Sequence, residues 1–208
     1  MNKEKGFIQG KKNALIKLKK AQKEKKVDVG IESILNRINN SDDYYTSSSC
    51  FGRIVLLEIP QIGDKKQARF LGKWHSTVST DEIISAAKGS QTGQIWLLSQ
   101  SSIIHIIAKT SEAADWILKT AIKCGFKNSG LKSFGKKFVV EVCSTERLDA
   151  PIGKDAVIYP GKDQIELLVD ISNEIIKKST KKLHKFEETL KKYFNSSSSD
   201  IKKGKKEK

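Results

Sequence analysis

Cysteine and proline are both scarce, with three of each in 208 residues. Cys50, Cys124 and Cys143 are an odd number, widely spaced, with no C-x-x-C. That argues against a disulfide scaffold and a structural zinc site, and no metal is expected. No apolar run approaches the roughly 18 residues of a membrane span. The segment 1–26 has no apolar h-region and no small-residue cleavage site, so it does not read as a signal peptide. There is no G-x-x-x-x-G-K-[ST], no G-x-G-x-x-G after a strand, no H-E-x-x-H and no G-x-S-x-G. Walker, Rossmann, zincin and α/β-hydrolase chemistry therefore lack their sequence basis. A cytoplasmic protein with no membrane association is the expectation.

What the chain does have is lysine. The formal net charge is +15, and hydrophobic residues still make up 38%, enough to build a core. The charge is segregated. Residues 1–26 carry ten lysines against Glu4 and Glu24, and residues 177–208 carry twelve against Glu187, Glu188, Asp200 and Glu207. Residues 27–176 nearly balance, with 17 basic and 18 acidic side chains. Cationic arms of this kind attract polyanions by counterion release, which points to RNA or DNA. The plainer reading is a pair of solvated lysine-rich faces.

Phe7, Ala14, Leu15, Leu18 and Ala21 recur at helical spacing, and Ile31, Ile34, Leu35 and Ile38 mark a second, short helix. Phe51 to Pro60 and Ala68 to His75 read as strands. Ser79-Thr80-Asp81-Glu82 opens a helix to Lys88. Ile95–Ser99 and Ile103–Ala108 read as a strand pair. Thr110-Ser111-Glu112 opens another helix, ending at Gly125. Phe138–Cys143 and Asp155–Tyr159 read as strands. From Asp163 a helical period runs through Ile165, Leu168, Ile171, Ile175, Leu183, Phe186 and Leu190 to Phe194. The pattern predicts an α+β fold, a mixed or antiparallel sheet core with flanking helices and long N- and C-terminal helices. One domain is expected over residues 1–195, with a Lys-rich disordered tail at 196–208. Phe51-Gly52-Arg53 before Val55-Leu56-Leu57-Glu58-Ile59 echoes Phe134-Gly135-Lys136-Lys137 before Phe138-Val139-Val140-Glu141-Val142. The echo reads either as a duplicated β–α unit or as chance likeness between two apolar strands.

The densest cluster of chemistry-bearing residues is Thr46-Ser47-Ser48-Ser49-Cys50-Phe51-Gly52-Arg53. It reads either as an anion-binding turn, with Arg53 pairing a carboxylate or phosphate, or as a loop satisfying its own backbone. Lys73-Trp74-His75 offers base stacking and polar contact, or simply a core tryptophan. His105, in an apolar strand, is either a hydrogen-bonded structural residue or a general base. Gly125-Phe126-Lys127-Asn128-Ser129-Gly130 is a helix-ending loop with small residues.

These segments, with Ser144 through Leu148 to Pro151, occur in the order of one family. From about Phe7 to Phe194 the chain resembles the wybutosine-synthesis methyltransferases of the third, N4-methylating step, in their archaeal single-domain branch. The resemblance implies methyl transfer from S-adenosylmethionine to N4 of a wyosine-type guanosine at position 37 of phenylalanine tRNA, in the anticodon loop. It implies catalytic roles for His75, His105 and Arg53, and cofactor contacts from Ser48, Ser49, Cys50, Gly52, Ser129 and Gly130. It implies substrate contacts from Lys73 and Trp74, and a monomer is the favoured state. One position departs from the pattern: Phe51 stands where the family usually has serine or alanine.

Overall fold

The amphipathic stretches form five helices and the β-branched runs contribute to nine strands in a computed structural model that describes residues 3–64 and 66–203. In chain order these are α1 (Lys3–Lys23), α2 (Glu32–Asn40), β1 (Tyr44–Cys50), β2 (Arg53–Ile59), β3 (Arg69–Trp74), α3 (Thr80–Ala87), β4 (Gln94–Gln100) and β5 (Ile103–Ala108). There follow α4 (Ser111–Lys123), β6 (Gly130–Ser133), β7 (Phe138–Cys143), β8 (Arg147–Lys154), β9 (Val157–Ile158) and α5 (Lys162–Lys203). The α+β class and the long terminal helices are as the sequence predicts. All strand pairs are antiparallel. Ser79 caps α3 in a full capping box with Glu82, and Thr110 caps α4. Helix α5 continues past Phe194 to Lys203, and residues 204–208 of the expected tail lie outside the described residues.

The contacts divide the chain into two compact units. Unit 1 takes Met1–Cys50, Ile103–Ser144 and Lys181–Lys208; unit 2 takes Phe51–Ser102 and Thr145–Thr180.

Unit 1 is built on a four-stranded sheet of order β1-β5-β7-β6. Alternation along β5 sends Ile104 and Ile106 to one face, where both are fully buried, and Ile103, His105 and Ile107 to the other. The buried face belongs to a core with Ile117 and Ala121 of α4, Val140 and Val142 of β7, and Leu183, Phe186 and Leu190 of α5. Within it Phe126 meets Phe186 edge to face, with ring centroids 5.9 Å apart. Helix α1 packs on β1, and Phe7 meets Tyr45 edge to face at 5.2 Å.

Unit 2 is built on a five-stranded sheet of order β3-β2-β4-β8-β9. Ile54, Leu56, Ile95, Leu97 and Ile152 bury one face against Ile83 of α3 and Ile165, Val169 and Ile176 of α5. The strands β4 and β5 are not a pair, contrary to the sequence expectation. β4 lies between β2 and β8 in unit 2, and β5 between β1 and β7 in unit 1. The segment joining them is anchored inside unit 2. Ser102 N–H donates to Ser179 Oγ at 2.9 Å, and the two hydroxyls lie 2.7 Å apart. The two echoing segments become β2 and β7, each with a neighbour on both sides. β2 pairs with the strand that follows it, β3, whereas β7 pairs with the strand that precedes it, β6.

Candidate functional site

In unit 1 the site is a row of polar side chains across an apolar sheet face. The start of β1 is tied to α2 by a buried pair: Asn39 Nδ2 donates to Thr46 Oγ1 at 2.9 Å, and Thr46 N–H donates to Asn39 Oδ1 at 2.8 Å. The register against β5 then shifts between Thr46 and Ser48. That bulge brings Ser48, not Ser47, opposite His105, and re-aiming a side chain is a common use of a bulge. Ser48 Oγ lies 2.7 Å from His105 Nδ1. On the other side of β5, Glu141 of β7 is the cross-strand partner of His105, with Oε2 2.9 Å from Nε2. Lys132 of β6 completes the row, its Nζ 2.7 Å from Glu141 Oε1. Neither Glu141 nor Lys132 was singled out by the sequence reading. Glu141 sits in an apolar strand with no motif around it, and only the pairing with β5 brings it to His105.

The charges in this row respond to one another. Burial pushes the Glu141 carboxyl up, but the hydrogen bond and charge of Lys132, with the His105 contact, outweigh it and hold the carboxyl below its ordinary range. The bond and charge of Glu141 raise Lys132. Cys143 lies on the same face, opposite Ile103. Burial and the Glu141 charge push its thiol up.

Ser48 also lines a cavity of about 600 Å³ between α1 and the sheet. Its walls carry Ser47 and Ser49, the apolar Ala14, Leu18 and Val139, and the cations Lys17, Lys26 and Lys137. Cys50 ends β1 opposite Ile103. The Ser129 hydroxyl is engaged in the turn after α4, donating to the Phe126 carbonyl at 2.7 Å and accepting from Cys143 N–H at 3.1 Å. Gly130 pairs with Glu141 and has open space where a Cβ would stand, so local packing does not demand its small size.

The remaining predicted residues lie in unit 2. Gly52 adopts φ +107°, and a Cβ there would stand 3.0 Å from the Gln100 carbonyl oxygen. Only glycine suits both conditions. Its own carbonyl accepts from His75 Nδ1 at 2.9 Å, which places the ring proton on that nitrogen. The Phe51 carbonyl accepts from Ser102 Oγ. That backbone contact is indifferent to whether serine, alanine or phenylalanine stands at position 51. Arg53 Nε donates to Gln100 Oε1 at 3.3 Å. Gln100 is in turn opposite Arg147 on β8, which is ion-paired to Asp149. Lys73 is exposed. Trp74 packs against the unit 2 core with its ring over Gly72, where a Cβ would fall 2.0 Å from the indole. Gly52→Ala is expected to cost about 1–3 kcal/mol, the usual cost of forcing a side chain into such a conformation. Urea denaturation checks this, and an unchanged midpoint would refute the strain.

The family profile described as "Methyltransferase TYW3" matches residues 9–192. A Pyrococcus furiosus protein named tRNA(Phe) 7-((3-amino-3-carboxypropyl)-4-demethylwyosine(37)-N(4))-methyltransferase 1 is 42% identical over 185 residues, spanning 88% of this chain and 94% of its own. A Methanocaldococcus jannaschii protein, whose name differs only in lacking the final numeral, is 41% identical over 176 residues, spanning 84% and 91%. A solved structure from Pyrococcus horikoshii superimposes with a TM-score of 0.87 at 40% identity, covering 91% of this chain and 98% of that one.

Proposed function

Because this chain belongs to the TYW3 methyltransferase family, we propose that it methylates N4 of the 7-(3-amino-3-carboxypropyl)-4-demethylwyosine base at position 37 of phenylalanine tRNA, with S-adenosylmethionine as donor. The observation that carries this reading is the nearly full-length match to relatives so named.

The unit 1 cavity suits a ligand of nucleoside size. Small-molecule sites run to about 300–1,000 Å³, with apolar walls and a few placed polar groups. Here Ser47 and Ser49 offer hydroxyls beside Ala14, Leu18 and Val139. Bound there, S-adenosylmethionine supplies a methyl group already activated by its sulfonium charge. The protein's work is then alignment and proton removal, and orientation alone can supply roughly 7–11 kcal/mol. His105 stands at the cavity edge through Ser48 and is assigned the proton. The lysines around the cavity are assigned to the phosphates of the anticodon loop.

In unit 2, Arg53 is assigned to an anionic group of the tRNA. Its bond to Gln100 fixes the guanidinium plane for a forked contact. Arg53→Ala is expected to raise KM for tRNA about 10–100-fold, matching the roughly 1.5–3 kcal/mol of hydrogen bonding to a charged group. Arg53→Lys recovers only part, because an ammonium lacks the fork. Initial rates with each substrate varied would check this, and a KM change confined to the donor would reassign the residue.

The reading is tested by incubating the protein with methyl-labelled S-adenosylmethionine and tRNA from cells arrested before this step. Nuclease digestion and mass spectrometry then locate the label. One methyl on the tricyclic base is the expected result. Good tRNA binding without transfer would overturn it in favour of a non-catalytic RNA-binding module.

A further inference from the structure

We propose that Ser48, His105 and Glu141 form a proton relay: Ser48 takes the proton leaving the methylated nitrogen, His105 accepts the proton of Ser48, and Glu141 positions His105. The proposal rests on the methyltransferase reading above and deepens it.

The hydrogen bonds dictate the direction of the relay. A carboxylate only accepts, so the contact between Glu141 Oε2 and His105 Nε2 places a ring proton on Nε2. In the neutral ring, Nδ1 is then the lone-pair nitrogen. At 2.7 Å from it, Ser48 Oγ donates its proton to Nδ1. The serine lone pairs are left to accept from a ligand, and Ser48 lines the cavity where one would lie. Glu141 is held from its far side by Lys132 at 2.7 Å. This fixes the carboxylate, and the carboxylate fixes the ring. The strand neighbours Ile103, Ile107 and Val139 on this face are apolar, and the thiols of Cys50 and Cys143 lie at its far end, beside Ile103. The other charges near Ser48 are Lys17, Lys26 and Lys137, which only donate.

The transfer balances. As the new N–C bond forms, the C–S electron pair returns to sulfur and the N–H bond of the acceptor nitrogen breaks. That proton bonds to Ser48 Oγ while the original serine proton moves to His105 Nδ1. His105 ends as imidazolium against ionised Glu141, and solvent later takes the proton. Glu141 touches neither substrate nor donor, so it is a positioning residue.

The experiment measures kcat, both KM values and Tm for Glu141→Gln, Glu141→Ala, His105→Ala and the Glu141→Ala/His105→Ala pair. Glutamine retains an acceptor for Nε2–H but loses the charge. The expected result is a kcat lower by about 10–100-fold in Glu141→Gln, with both KM values within about twofold of wild type. Removing Glu141 from the His105→Ala protein should cost nothing further, because its effect passes through His105. Lys132→Ala, at a side chain 56% exposed, gives a second handle should Glu141→Ala fold poorly, and a kcat loss smaller than that of Glu141→Gln is expected. A wild-type kcat in Glu141→Gln, or an additive double variant, would overturn the relay while wild-type transfer leaves the methyltransferase reading standing. Absence of transfer by the wild-type protein would overturn both.

Discussion

Replacing His105 by alanine is expected to lower kcat for methyl transfer by about 10²–10⁴-fold, the range for loss of a general base. The protein should remain folded. The His105 side chain is 30% exposed on the face of β5 away from the unit 1 core. Ile104 and Ile106, which bury the opposite face, are untouched. Glu141 keeps its Lys132 partner, so no buried charge is orphaned. The cost is the two hydrogen bonds to Ser48 and Glu141, about 0.5–1.5 kcal/mol each. His75 makes a useful contrast, because its ring holds the Gly52 carbonyl. Its loss should lower Tm as well as rate. Single-turnover rates beside circular-dichroism melts separate the two. A His105→Ala protein within tenfold of the wild-type rate would remove His105 as proton acceptor.

Affinity for tRNA is expected to fall about 10³-fold between 50 and 200 mM salt, the loss expected when about six phosphates are neutralised. The lysines argue for this. The segment 1–26 alone holds ten, and Lys17, Lys26 and Lys137 surround the unit 1 cavity. Replacing those three by alanine should weaken binding and flatten the salt dependence together. Removing residues 196–208, which carry five lysines, Asp200 and Glu207, should flatten it further with little change in Tm. Filter binding over a salt series reads both slopes. Parallel lines for the full and shortened chains would take the tail out of recognition, and a nearly flat line would take counterion release out altogether.

The helices were legible because each carries apolar residues at helical spacing, and α3 and α4 also carry their own start signals. Ser79 with Glu82, and Thr110, stand where the capping residues do. The strands were legible only where they are apolar. β1 reads as a loop because Thr46-Ser47-Ser48-Ser49 is a turn composition, yet it forms the edge strand that carries Ser48 to His105. β8 was hidden by Pro151, which sits where the register against β4 shifts and the missing N–H is tolerated. β4 and β5 look like a hairpin because they are close in sequence and similarly apolar. Which sheet each joins depends on distant partners, and short-range pattern carries no record of that. The same limit hid Glu141. The histidine and serine of its row are unusual enough in sequence to attract notice, whereas a glutamate between valines looks like ordinary strand alternation.

The threading of the two units has a consequence for how this protein is made. Each unit is assembled from separated stretches of chain: 51–102 interrupts unit 1, and 103–144 interrupts unit 2. Unit 2 lacks part of its core until Ile165, Val169 and Ile176 have been synthesised, and unit 1 lacks Leu183, Phe186 and Leu190 until later still. A nascent chain stopped before α5 therefore leaves part of the apolar face of each sheet uncovered at once. Long-range closure of this kind is slow relative to local helix formation. The two sheets should consolidate late and nearly together during translation, with α5 as the last piece of each, and the interval before that is when the chain is most open to aggregation.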